Sequence, residues 1–216
     1  MPIAIRSTVA LAAAAIVLAG TGLAAAQGLG TSSAYLKVFG GVTMPQDDDF
    51  TLELPGDDPA ESGLDYDAGY VFGVAGGYLV TPNVALELEY SYRDTDVELN
   101  YAGGIGGQMK ASTYMANGIY TFNPIDAAGA VRPYVGLGLG ASELTYEPDG
   151  GSRLGGDLTF AYQVMAGIGY EVNESWILSG EVRYLGVSEQ DVSASFASFE
   201  TSYQTFDVLV GATYRF

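Results

Sequence analysis

From Val84 to Arg93 the chain changes character at every residue. Val84, Leu86, Leu88, Tyr90 and Tyr92 fall on one side, and Ala85, Glu87, Glu89, Ser91 and Arg93 on the other. Strict period two is the signature of a strand with two unlike faces. Two glutamates and an arginine on one face cannot lie in a dry apolar core; they need water or each other. The last stretch repeats the pattern: Phe206, Val208, Val210, Ala212, Tyr214 and Phe216 alternate with Thr205, Asp207, Leu209, Gly211, Thr213 and Arg215. In a soluble sandwich such an apolar face packs on a core, yet this sequence ends at Phe216. Recurrence of the pattern behind a secretory signal makes a barrel closed in lipid the economical solution, because its last strand pairs with its first.

The N-terminal segment supplies that signal. Arg6 is the only early charge, Val9 to Ala19 is an apolar run, and Ala24, Ala25 and Ala26 before Gln27 fit a small-residue cleavage site. Residues 1–26 are therefore expected to be a cleaved signal peptide and residues 27–216 one mature domain. No later segment has 18 consecutive apolar residues, which excludes a helical span and says nothing against strands. The chain lacks cysteine and histidine. Disulfides and thiol chemistry are thus excluded, and the usual general base and commonest zinc ligand are missing. The mature part carries seven basic residues against 26 acidic ones, a formal charge of −19, which repels nucleic acid.

Taken in order, the pattern predicts eight strands, over 33–43, 65–80, 84–93, 109–122, 132–141, 158–172, 176–187 and 203–216. In the first, Ala34, Leu36, Val38, Gly40 and Val42 face out and Tyr35, Lys37, Phe39 and Gly41 in, although Tyr35 and Phe39 could face lipid instead. In the fifth, Gly136, Gly138 and Gly140 face inward and leave room for long side chains from neighbouring strands. Connections alternate without exception between long and short. The long ones are the acidic stretch to Leu64, then Asp94–Gln108, Glu147–Asp157 and Ser188–Ser202. The short ones are Thr81–Asn83, Asn123–Val131 and Asn173–Ser175. Outer-membrane barrels show this asymmetry, with short periplasmic turns and long external loops. Predicted outward aromatics gather near both strand ends, as interfacial girdles do: Tyr78, Tyr120, Phe122, Tyr170, Trp176, Tyr214 and Phe216 at one, Tyr90, Tyr92, Phe160, Tyr162, Tyr184 and Phe206 at the other. The expected fold class is all-β, an eight-stranded antiparallel up-and-down transmembrane β-barrel.

The inward phase collects Lys37, Arg93, Arg183 and Arg215 with Glu87, Glu89, Glu171, Glu181 and Asp207. In a narrow interior these pair, since an unpaired buried charge is costly. A structural plug is the expected role; a polar lining for a thin pore is the alternative. The Gly-rich runs 103–107 and 136–140 open no helix and do not read as phosphate cradles. The acidic stretch Asp47–Asp65 has no ligand register and reads as a solvated charge run, although hard cations favour clustered carboxylates. No catalytic residue, metal ligand or cofactor is assigned.

The segments Arg132-Pro133-Tyr134-Val135-Gly136-Leu137-Gly138-Leu139-Gly140, Phe160-Ala161-Tyr162-Gln163, Ala166-Gly167-Ile168-Gly169-Tyr170 and Tyr214-Arg215-Phe216 resemble the small outer-membrane β-barrels. These are the OmpA-like transmembrane domains and the Omp25-like and surface-antigen barrels of alphaproteobacteria. The resemblance spans Gln27 to Phe216 and implies a Gram-negative outer-membrane location. It also implies contact with outer-membrane lipid and lipopolysaccharide. Phe206, Val208, Val210, Tyr214 and Phe216 resemble the C-terminal signature through which such barrels meet the outer-membrane assembly machinery. No peptidoglycan-binding domain is expected after the barrel, so the wall-anchoring role of full OmpA-like proteins is not expected either. Enzymes built on such barrels resemble one another in using a catalytic His, so a chain without one is expected not to be an enzyme. The implied function is a structural or surface-exposed, antigen-like role. A narrow pore for small solutes, or an adhesin acting through the acidic loops, are the alternatives. Any external ligand is left unnamed.

Overall fold

A computed structural model describes residues 33–46, 49–52, 60–66, 68–99, 105–148, 154–194 and 197–216. The expected signal segment 1–26 lies outside them, as do the side chains of the acidic stretch 47–67 and of 189–202. Ten strands are present among the described residues: β1 (Ala34–Pro45), β2 (Asp49–Leu52), β3 (Ala60–Tyr66), β4 (Gly69–Leu79), β5 (Val84–Leu99), β6 (Ile105–Thr121), β7 (Val131–Pro148), β8 (Leu154–Glu171), β9 (Trp176–Ala194) and β10 (Ala197–Arg215). Consecutive barrel strands pair antiparallel, and β1 pairs with β10 from Tyr35↔Arg215 to Pro45↔Thr205. That last ladder closes the sheet. β3 pairs with β5 through Leu64↔Leu99, Asp65↔Glu98 and Tyr66↔Val97, directly beyond the β4–β5 ladder. β3 and β4 therefore form one interrupted wall strand, and the barrel has eight walls. Closure leaves no unpaired backbone edge within the wall, which lipid requires.

The tight turns form where expected and for side-chain reasons. Thr81 Oγ1 accepts from the backbone N–H of Asn83 (3.3 Å) and of Val84 (3.0 Å), beside Pro82. Asn173 Oδ1 accepts from the N–H of Ser175 and of Trp176, both at 2.9 Å. These are Asx- and Ser/Thr-type turns, in which a short polar side chain replaces a backbone acceptor. In the third short connection Asp126 Oδ1 accepts from Val131 N–H at 2.7 Å. Gly129 there has φ +75°, a left-handed value that glycine adopts without penalty.

The long connections depart from expectation. β5 runs on to Leu99 and β6 begins at Ile105, so much of the predicted loop Asp94–Gln108 is paired strand. The same holds for β9 and β10, paired as far as Ala194↔Ala197, and the first long connection contains the β2–β3 hairpin. A ladder projecting into water satisfies its backbone groups across the hairpin and needs no apolar face. Its side chains, rich in Asp, Ser and Gly, therefore read as loop.

Polarity is inverted relative to a soluble barrel. Leu88 is 70% exposed and Val210 71%, while Arg93 and Asp207 are fully buried. Outward rings form two series: Tyr120–Phe122, Trp176–Tyr214 and Tyr214–Phe216 at the short-turn end, and Tyr70–Phe72, Phe72–Tyr92, Tyr90–Tyr114, Tyr162–Tyr184 and Tyr184–Phe206 toward the loops. Their ring centroids lie 4.9–6.4 Å apart. An apolar band between two aromatic girdles is the surface a bilayer selects. Tyr35 and Phe39, whose direction was open, both point inward.

Candidate functional site

The lumen is the site, and period two builds it. On β1, β5, β9 and β10 every second residue faces inward, placing Lys37, then Glu87, Glu89 and Arg93, then Glu181 and Arg183, then Asp207 in one bore. All seven are buried. The central knot is Arg183. Its Nη1 and Nη2 donate to Glu89 Oε1 (2.5 Å) and Oε2 (3.1 Å), and its Nε and Nη2 donate to Glu181 Oε1 (3.1 and 2.7 Å). Glu181 Oε2 accepts from Lys37 Nζ and from the Tyr134 hydroxyl, both at 2.8 Å. Asn117 Nδ2 donates to Glu89 Oε2 at 3.0 Å, and Gln163 Nε2 donates to Asn117 Oδ1 at 2.8 Å. The Arg183 guanidinium also lies 4.9 Å from the centre of the Phe39 ring. Residues from β1, β5, β6, β7, β8 and β9 thus cross the bore at one level.

A second knot lies nearer the loops. Arg93 Nε and Nη2 donate to Asp207 Oδ2 (3.2 and 2.7 Å), and Arg93 Nη1 donates to Ser91 Oγ (3.0 Å). Thr205 Oγ1 donates to Asp207 Oδ1 at 3.2 Å. Toward the same end Leu144, Leu185, Val187 and Tyr203 belong to a buried apolar cluster. At the opposite, short-turn end Glu171 Oε1 faces both Arg215 Nη2 (3.1 Å) and Arg132 Nε (3.3 Å). All nine charged lumen residues expected from the sequence therefore line the interior, but not as one cluster. Six of them form the two buried knots, Glu171 and Arg215 form a half-exposed triad with Arg132, and Glu87 stands outside all three. Glu87 joins no ion pair among the described residues; its Oε1 accepts from the Tyr35 hydroxyl at 2.7 Å.

Sequence reasoning missed Arg132, Asn117 and the two tyrosines as members. Arg132 precedes Tyr134 and Gly136 on the same phase, so period two alone carried its signal. With it the described lumen holds five cationic and five anionic groups. The inward glycines act as expected: a Cβ on Gly138 would overlap Asn117 Oδ1 and come within 2.8 Å of Gln163 Cγ, so the amide pair occupies the missing side chain's space. Of the assembly-signature residues, Phe206, Val208, Val210, Tyr214 and Phe216 all point outward into the lipid-facing surface. Among the described residues no group of three His, Cys, Asp or Glu side chains is placed to hold a metal ion.

A closed antiparallel barrel with an apolar exterior and an ion-paired bore is an integral membrane barrel of the bacterial outer-membrane class. The chain belongs to the outer membrane protein beta-barrel domain family, whose model matches residues 10–216. Its location is accordingly the Gram-negative outer membrane. Among solved structures it is similar to Neisserial surface protein A, with TM-score 0.57, 18% identity, 87% of this chain covered and 99% of that one. It is also similar to the outer membrane protein OprG of Pseudomonas aeruginosa, with TM-score 0.61, 16% identity and coverages of 87% and 98%. At such identities the likeness concerns fold. No curated protein matches the chain.

Proposed function

We propose that this barrel is a structural or surface-exposed component of the outer membrane whose lumen is closed by its own side chains. The observation that carries this reading is the Arg183 knot. Its charged members are at most 6% exposed, and Arg183 on β9 reaches across the bore to Glu89 on the facing β5. Ions entering there would have to break charge-assisted bonds in a confined space, each worth about 1.5–3 kcal/mol. In the same reading residues 1–26 are an export signal, and the C-terminal strand is the element the assembly machinery recognises. Lipid and lipopolysaccharide are the partners of the apolar band. The external loops are the surface through which any outside ligand is met. No catalytic group is assigned.

The native absence of cysteine permits a clean test. Thr213 lines the bore below the knot, on the short-turn side. In vesicles with the loops facing outward, Thr213→Cys should resist a charged, membrane-impermeant thiol reagent added outside and react once detergent exposes both ends. Fast reaction from the loop side would mean a continuous aqueous path and support the narrow-pore alternative.

A further inference from the structure

Beneath the Arg183 knot lies a cavity of about 100 Å³. Its apolar walls are Leu79, Ala85, Ile119 and Ile177, and its polar lining includes Tyr35, Lys37, Glu87, Arg132, Glu171 and Arg215. Thr121, Arg132, Glu171, Ile177 and Arg215 sit at or beside the strand ends that meet the short turns. The side chains of Arg132, Glu171 and Arg215 are 26–32% exposed, so the cavity opens at that end. Its inner end is shut by the knot.

Charge is unevenly distributed along this pocket. The fully buried part of the lumen holds three cations (Lys37, Arg93 and Arg183) and four carboxylates (Glu87, Glu89, Glu181 and Asp207). Arg93 is taken by Asp207, Arg183 by Glu89 and Glu181, and Lys37 by Glu181. Glu87 is the carboxylate left over. It is 5% exposed, it lines the cavity, and its Oε2 has no hydrogen-bond partner among the described residues. Such an atom carries a full desolvation cost unless something donates to it. The mouth has the opposite imbalance, with two guanidiniums sharing one oxygen of Glu171. A simple cation seated on Glu87 would face Lys37 within and two arginines at the entrance. A simple anion held at the mouth would leave Glu87 unmet. A molecule with a donor end and an anionic end satisfies both.

We propose that this pocket binds a short zwitterion from the periplasmic side, its ammonium end on Glu87 and its anionic end on Arg132 and Arg215. The volume sets the size: a cavity of roughly 150 Å³ takes benzene, so this one, at about 100 Å³, suits a molecule of about four or five heavy atoms. The pocket is a dead end, which makes it a binding site and not a conduit.

The probe is glycine, titrated into the folded barrel in lipid nanodiscs and followed by calorimetry, with ammonium chloride and sodium acetate as half-ligands. Saturable glycine binding is expected, weakened at least tenfold in Glu87→Gln and in Arg132→Gln and unchanged in Glu143→Gln, which alters an outward carboxylate. Ala85→Leu fills the pocket without touching a charge and should abolish binding, so the test survives if Glu87→Gln does not fold. Equal binding of ammonium alone or acetate alone would replace the zwitterion by a single-ion site and overturn the proposal. No binding by any probe would leave a pocket for water only. Neither failure touches the closed lumen, which the Thr213→Cys experiment reads separately.

Discussion

Arg183→Ala is the substitution with the largest expected consequence. Four hydrogen bonds to two buried carboxylates are lost at once. Taken singly, charge-assisted bonds of about 1.5–3 kcal/mol would sum to more than the loss of a buried pair has been seen to cost, because such terms are not additive. The two carboxylates are also left in different states. Glu181 keeps Lys37 and Tyr134, whereas among the described residues Glu89 keeps Asn117 and a long 3.5 Å contact from Gln163. The cost is therefore close to that of stranding one buried carboxylate, about 3–5 kcal/mol. Removing the stranded charge should restore most of it, so Arg183→Ala with Glu89→Gln should lie well above Arg183→Ala alone. The assay is urea titration of the barrel in lipid vesicles, read by the single tryptophan. Trp176 is 45% exposed on the outer wall, and its emission reports transfer from lipid to water. A loss below about 1 kcal/mol, or no rescue by the second substitution, would mean that water already screens the knot, and the plugged-lumen reasoning would fail.

The remaining predictions concern the wall and its ends. A Cβ on Gly41 would overlap the Val208 carbonyl and approach Leu209 Cα to 2.9 Å at the β1–β10 closure, while one on Gly76 meets nothing within 4 Å. Gly41→Ala should thus cost about 1–3 kcal/mol in the same titration and Gly76→Ala almost nothing; equal effects would refute the closure geometry. Phe216 donates its backbone N–H to Ala34 O at 3.2 Å and sets its ring edge-on to Tyr214, so its deletion should lower the fraction of heat-modifiable barrel in the outer membrane. An unchanged yield would separate that residue from assembly. Asp126 is held below its ordinary value of 3.8, first by the Val131 N–H that it accepts. A depressed carboxyl stabilises the fold above its unfolded pKa and loses that contribution as pH falls through the folded one. The urea midpoint of wild type minus that of Asp126→Asn should therefore be constant from about pH 5 upward and shrink only below 3.8; a difference that changes between pH 5 and 8 would refute the assignment.

Much of this architecture was legible because period two is a one-dimensional signal. Once Glu87, Glu89 and Arg93 had to share a face, the direction of every neighbour in β5 followed. The ladders then extended that assignment around the barrel. What stayed hidden depends on where strands lie along the axis. Lys37, Glu181 and Arg183 meet at one level only because β1, β9 and β10 are staggered as their registers dictate. No spacing in the sequence shows that Glu87 falls below that level, bonded to Tyr35 and outside every ion pair among the described residues. The projecting hairpins escaped notice for another reason: above the membrane the ladder holds without an apolar face, so their composition no longer reports strand.

The central claim is that side chains close the bore, and ion flow through single barrels in a planar bilayer measures this most directly. Wild type should give no conductance steps above the lipid baseline, and Arg183→Ala with Arg93→Ala should introduce them by removing both knots. Regular steps in the wild-type barrel that persist unchanged in the double variant would contradict the account, because ions would then be passing by a route the knots do not control.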